Sequence, residues 1–126
     1  MAVKDGMLDR GYGRIVCIAS IAGLRARGRM ITYSTSKAGV IAFARSCAEA
    51  FGPAIRVNCL APGLIETEMG ASMGAEAIKR LADEAYLKRI GRPEEMAETV
   101  LFLLSERSSF TTGQTYVADG GRATLP

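Results

Sequence analysis

Apolar residues recur along this chain with two different periods. Residues 14–19 (RIVCIA), 54–60 (AIRVNCL) and 114–118 (QTYVA) are short, largely apolar runs. Runs of this length, bounded by Gly, Pro or Ser, read as strands of a parallel sheet, where both faces are covered. Between them the period lengthens. Residues 31–51 place apolar side chains on nearly every side of a helix, interrupted mainly by Lys37, Arg45 and Glu49, and Gly52-Pro53 ends it. Such a helix is expected to cover the sheet with one side and a second copy of the chain with another. Residues 68–90 hold two helical stretches weakened at Gly70 and Gly74. Pro93-Glu94-Glu95 opens a further helix, with proline first and acids in the first turn. It runs to about Ser105, with Met96, Val100, Leu101, Leu103 and Leu104 expected inward. Residues 2–10 read as the last turns of a helix ended by Gly11 and Gly13.

The order strand, helix, strand, helices, strand predicts a three-layer α/β segment. Its three strands should be parallel, adjacent in chain order and joined by right-handed crossovers. Ser20 and Pro62 then fall at the carboxyl ends of neighbouring strands. That is the crevice where open α/β sheets take their ligands. No internal repeat, linker or low-complexity stretch divides the chain.

The chemistry-bearing groups cluster at that edge. Tyr33 and Lys37 are four residues apart, one turn along a helix and on one face. A free tyrosine, with a pKa of about 10, is a poor base at neutral pH, and a neighbouring ammonium favours its phenolate form. Tyr33 could accept a proton from an alcohol or donate one to a developing alkoxide, while the Ser20 hydroxyl held the same oxygen. The chain has no histidine, so the commonest general base is absent. Tyr-x-x-x-Lys alone is a weak signal, often a solvated surface pair. A strand-ending serine thirteen residues upstream strengthens it.

Five motifs then occur in a fixed order: Gly13-Arg-Ile-Val-Cys-Ile-Ala-Ser20, Tyr33-x-x-x-Lys37, Arg56-Val-Asn-Cys-Leu-Ala-Pro-Gly-Leu-Ile-Glu-Thr67, Gly91-Arg-Pro-Glu-Glu95 and Thr112-Gly-Gln-Thr-Tyr-Val-Ala-Asp-Gly-Gly121. Together they resemble the carboxyl-terminal half of a short-chain dehydrogenase/reductase, most similar to the branch around the 3-oxoacyl-acyl-carrier-protein reductases. The resemblance covers nearly the whole chain. It implies a partial Rossmann-like doubly wound parallel sheet, its last three strands and their helices. It also implies an NAD(P)-dependent interconversion of a secondary alcohol and a ketone, with Ser20, Tyr33 and Lys37 catalytic. The loop Pro62-Gly63-Leu64-Ile65-Glu66-Thr67 would meet the nicotinamide, through the Ile65 backbone and the Thr67 hydroxyl, and Lys37 the cofactor ribose. Residues 68–90 would form a lid over the substrate, and the helix 31–51 would pack in an oligomer.

Composition narrows the partners. Of 126 residues, 48% are apolar and 23% charged, as in ordinary globular domains. A net charge of +3, dispersed among acids, argues against nucleic acid or a membrane surface. No apolar run approaches the length of a membrane span. Lys4, Asp5, Asp9 and Arg10 near the start make a signal peptide unexpected. Cys17, Cys47 and Cys59 sit in apolar segments, and no Cys-x-x-Cys occurs. This predicts buried reduced thiols in a cytoplasmic protein and argues against a metal site. Arg25, Arg27 and Arg29 read as solvated loop charges, or else as contacts to an anionic substrate group or an acidic carrier protein.

The chain has no glycine-rich turn after a strand to hold a pyrophosphate, and no residue to choose between NAD and NADP. The expectation is that residues 1–126 are the carboxyl-terminal part of one dinucleotide-binding domain whose glycine-rich half lies before Met1. Three classes of function follow. The chain belongs to an active oxidoreductase, it is a catalytically silent fragment that only self-associates, or it is an unrelated flavodoxin-like binding module. The last fits the strands but not the Ser20, Tyr33, Lys37 spacing.

Overall fold

The central strand is built from the run Ile-Arg-Val-Asn-Cys-Leu-Ala-Pro. In a computed structural model that describes residues 2–25 and 28–123, this run forms β2 (Ile55–Pro62). It lies between β1 (Gly13–Ile18) and β3 (Thr115–Ala118) in a parallel sheet of order β1-β2-β3. Gly13 to Ile18 pair with Ile55 to Leu60, and Cys59 to Pro62 pair with Thr115 to Ala118. The three parallel strands, adjacent in chain order, are as the sequence predicts. β2 runs two residues further than expected and includes Pro62. A proline is tolerated there because it is the last residue of the strand.

The alternation of β2 explains its mixed composition. Ile55, Val57 and Cys59 point to α2 (Ile31–Phe51) and pack with Ile41, Ala44, Cys47 and Ala48. Ile15 and Cys17 of β1 join the same cluster. The other face carries two polar residues, both buried. Arg56 donates to the Ser105 carbonyl at 2.8 Å, the Thr111 carbonyl at 3.0 Å and the Ser108 hydroxyl at 3.1 Å. Asn58 donates to the Thr111 carbonyl at 2.9 Å and accepts from the Gln114 amide at 3.1 Å. They satisfy the backbone of the segment that joins α5 (Pro93–Leu104) to β3, including the 3-10 turn Glu106–Ser108. α5 covers this second face, and Phe102 meets Tyr116 edge-on with ring centroids 6.3 Å apart. The result is a helix–sheet–helix sandwich.

Two expectations need correction. The inward side of α5 is Met96, Thr99, Val100 and Leu103, with Leu103 buried and Leu101 62% exposed. Leu104 is also exposed. A single helix turns one stripe to a sheet; Leu101 falls well off the stripe, and Leu104, one turn after Val100, falls at its edge. The first helix is α1 (Lys4–Asp9), shorter than the expected 2–10. The region 68–90 divides into α3 (Glu68–Ala71) and α4 (Ala75–Glu84), broken at Gly74, whose φ is +81°.

β1 is an outer strand among the described residues. Its Ile15, Val16 and Cys17 are half-buried and Ile18 is 50% exposed. Cys47 and Cys59 are buried, and no disulfide joins the three cysteines. Burial raises the thiol pKa of Cys17 and Cys59 above 9.0, which keeps them protonated and unreactive. None of the helices among the described residues is long and apolar enough to cross a membrane.

Candidate active site

The crevice begins where the sheet ends. The Ala19 amide donates to the Leu60 carbonyl at 2.8 Å, which continues the β1–β2 pairing past Ile18. Carried one residue further, the register sets Ser20 beside Pro62. Ser20 has extended backbone and caps a 3-10 turn, Ile21–Gly23, with its Oγ accepting from the Ala22 amide at 3.1 Å. That bond uses a lone pair and leaves the hydroxyl proton available to a substrate oxygen.

Tyr33 and Lys37 stand on the first two turns of α2. The Lys37 ammonium lies 5.7 Å from the centre of the Tyr33 ring. It also donates to the Ile18 carbonyl at 3.2 Å, two residues before Ser20. Lys37 therefore bridges the end of β1 and the tyrosine, with one of its three ammonium protons engaged by Ile18. Tyr33 is 37% exposed.

Gly23 makes this approach possible, and its role is not evident from the sequence. A β-carbon added there would stand 2.7 Å from the backbone of Lys37 and of Ala38. The turn after Ser20 thus rests directly on the backbone of α2. The only sequence signal is a glycine three residues after the strand-ending serine.

The second wall is the loop 62–67. The Gly63 amide donates to the Ala118 carbonyl at 3.0 Å. Ile65 forms a parallel bridge with Gly91, closed by Gly91 amide to Leu64 carbonyl at 3.0 Å and Glu66 amide to Gly91 carbonyl at 2.8 Å. Thr67 caps α3, its Oγ1 accepting from the Gly70 amide at 3.1 Å. Its proton points at the Ile65 carbonyl over a long 3.4 Å contact, which a better acceptor would displace. The loop is therefore held from behind while its hydroxyl stays adaptable.

Gly91 is itself fixed by an ion pair. Arg89 grips Glu95 with two bonds of 2.6 and 2.8 Å, and the Arg92 amide donates to Glu95 at 2.8 Å. The Arg89 bond, followed by that amide, pulls the Glu95 pKa from 4.5 to about 2. A cavity of about 230 Å³ lies behind the loop, between Leu64, Leu87, Met96, Thr99 and Asp119. Ser20, Tyr33 and Lys37 do not line it.

Of the loop arginines, Arg25 donates to the Arg122 carbonyl at 3.0 Å, and Arg29 is exposed. Arg27 lies outside the described residues.

Known proteins resemble this chain in sequence and fold. A family profile described as enoyl-(acyl carrier protein) reductase matches residues 1–123. The 3-oxoacyl-[acyl-carrier-protein] reductase of Aquifex aeolicus is 41% identical over 116 residues, covering 91% of this chain and 47% of the relative. A gluconate 5-dehydrogenase from Burkholderia cenocepacia, solved in complex with NADP and tartrate, superimposes with a TM-score of 0.91 at 31% identity, over 96% of this chain and 49% of that one. A 3-oxoacyl-[acyl-carrier protein] reductase from Brucella melitensis with bound NAD gives 0.85 at 33% identity, over 98% and 46%. The chain spans about half the length of the relatives it matches.

Proposed function

From the premise that this chain belongs to the short-chain dehydrogenase/reductase family, we propose that it supplies the catalytic half of an NAD(P)-dependent oxidoreductase that interconverts a ketone and a secondary alcohol. The observation that carries this reading is the position of Lys37, which joins the carbonyl of Ile18 to the face of Tyr33. A surface lysine that merely followed its helix would have no reason to return to a strand end.

The chain's own residues fit the nicotinamide end of a dinucleotide. Lys37 offers ammonium donors for ribose hydroxyls, and the loop Pro62, Gly63, Ile65, Thr67 offers backbone and hydroxyl groups for a carboxamide. When bound, the cofactor supplies or accepts the hydride. Ser20 donates a hydrogen bond to the substrate oxygen and fixes its place. Tyr33 donates its proton to that oxygen as charge develops on it, or removes the proton in the reverse direction. Lys37 stabilises the tyrosinate so formed, because opposite charges attract strongly in a site of low dielectric. Solved relatives bind NADP in one case and NAD in another, so the family leaves the choice of cofactor open.

The substrate is a small carbonyl compound or alcohol, carrier-linked as in the acyl-carrier-protein reductases that this chain resembles. Nucleic acid and membrane have no part in the reading. The protein works in the cytoplasm, which suits three thiols without a disulfide. It assembles as a homo-oligomer through the outer side of α2, where Phe43 is 48% exposed and Gly39, Ala42 and Ala50 are also exposed.

A second reading keeps the fold but not the activity: a silent fragment that only self-associates. The half-exposed β1 favours it, since an apolar outer strand invites association. Calorimetric titration of the 126 residues with NADH and NADPH, beside a spectrophotometric assay with a 3-oxoacyl thioester, separates the two. These residues hold no glycine-rich pyrophosphate turn, so alone they should bind neither cofactor at micromolar concentration. A chain extended by such a half should bind and turn over. Failure of the extended chain to oxidise either cofactor with any ketone would overturn the enzymatic reading.

A further inference from the structure

We propose that Arg122 is a positioning residue that fastens the lid helix α4 to the turn behind the catalytic serine, so that the last turn of the chain sets how far the crevice opens. The inference rests on the reading of this crevice as the active site, but its structural content does not.

The chain after β3 turns sharply. Gly120 and Gly121 have φ of +67° and +80°, and the Asp119 carboxylate accepts from the amides of Gly121 and Ala123. This turn touches three parts of the site. Behind the cofactor loop, Asp119 lies against Gly63. Below the lid, the Leu87 amide donates to the Gly120 carbonyl at 3.1 Å, and Gly121 is pressed against the Tyr86 ring. Arg122 then makes the two contacts that span the crevice. Its Nε donates to the Glu84 carboxylate at 2.8 Å, at the last residue of α4. Its carbonyl accepts from Arg25, two residues after the turn capped by Ser20.

The burial of the pair gives it weight. The Arg122 side chain is only 9% exposed, whereas Glu84 is 43% exposed. An exposed ion pair contributes little, but a shielded arginine left without its carboxylate is strongly unfavourable. Within its own span α4 buries Leu81, and it follows Gly74, where φ is +81°. The lid is thus hinged at Gly74 and latched at Glu84.

Hydrogen exchange tests the latch directly, whether or not the protein is an oxidoreductase. Amides of residues 76–84 should exchange at least about fivefold faster in Arg122→Glu and in Glu84→Gln, while those of β2 and α2 stay at wild-type rates. The charge-swapped double variant Arg122→Glu/Glu84→Arg should recover most of the protection, and Arg122→Lys part of it. In an extended, active chain the same variants should raise KM for the carbonyl substrate more than they lower kcat. Unchanged exchange in 76–84 would overturn the proposal. So would loss of protection spread equally over α2 and β2, or a double variant no better than the single ones. Should Arg122→Glu not fold, Glu84→Gln, altered on the more exposed partner, decides alone. A latch confirmed by exchange, in an extended chain without activity, would refute the enzymatic reading and leave the latch standing.

Discussion

Gly63 and Asp119 are in backbone contact: a β-carbon on Gly63 would stand 2.7 Å from the Asp119 β-carbon and 2.8 Å from its α-carbon. Neither separation is possible between real atoms, and the second involves main chain that cannot swing away. The contact sets the loop 62–67 flat against the end of β3.

Gly63→Ala should therefore push the loop off its backing. Overpacking of this kind costs about 1–3 kcal/mol. The expected result is a lower thermal midpoint, together with faster proteolysis within residues 62–67. A variant as stable and as resistant as the wild type would show that β3 gives way instead.

Arg56 is the buried cation whose removal should be felt most. Its guanidinium satisfies two carbonyls and one hydroxyl of the segment 105–111. Burial, then the nearby charge of Arg14, lowers its pKa from the ordinary arginine value, yet it keeps its proton at any ordinary pH. Arg56→Met keeps the apolar stem and removes three bonds; the Thr111 carbonyl still accepts from Asn58 and the Ser105 carbonyl from Ser108, so each lost bond costs about 0.5–1.5 kcal/mol. Urea denaturation should show a loss of about 2–4 kcal/mol. A change below about 0.5 kcal/mol would mean that water replaces the guanidinium without penalty.

Arg56 also shows what the sequence could and could not carry. The strands were legible as apolar runs, because a parallel strand covered on both faces needs them. Arg56 and Asn58 look like interruptions of such a run, and only the sheet shows that they serve a distant turn. Ser20, Tyr33 and Lys37 were legible as a spacing, since a strand end and one helical turn fix where they fall. The backing of the site was not. Gly23, Gly91, Asp119 and Arg122 act through contacts with residues tens of positions away, and nothing local marks a glycine that touches a helix backbone. The inward set of α5 misled for a related reason: Leu101 and Leu104 are apolar without being buried, and composition cannot tell a covered face from an open one.

The Arg89–Glu95 pair should give stability a definite pH dependence. The Glu95 pKa is depressed in the folded chain, from 4.5 to about 2. Stability from this group is then present in full above about 4.5 and is lost as the pH falls from about 4.5 towards 2. Glu95→Gln lacks the charge at every pH. Its urea midpoint should lie below that of the wild type at pH 7, and the gap should close between pH 4.5 and 2. A gap that stays constant across this range would show that it does not come from the Glu95 charge, and no gap at pH 7 would show that the Arg92 amide bond, which glutamine can still accept, matters more.

Tyr33 and Lys37 can be told apart by kinetics, because they are asked to do different things. Tyr33 is proposed to act only when charge develops on the substrate oxygen, so its contribution would be confined to the transition state. Tyr33→Phe keeps the ring and its contact with the lysine but removes the proton. In an extended chain that turns over, kcat and kcat/KM for the ketone should both fall roughly 100-fold or more, with cofactor affinity little changed. Lys37 is proposed to hold the cofactor ribose as well as to steady the tyrosinate. Lys37→Met should therefore raise the cofactor KM as well as lower kcat. It should also release the Ile18 carbonyl, which Lys37 holds at 3.2 Å, and loosen the end of β1 just before Ser20. In kcat, the two variants made together should be no worse than the poorer one alone, since for the proton step a lysine that acts through tyrosine has nothing left to act on; the rise in cofactor KM should persist. Steady-state kinetics of the four proteins decide the point. Near-normal turnover in Tyr33→Phe would remove the tyrosine from the mechanism, and additive losses in the pair would remove the coupling between them.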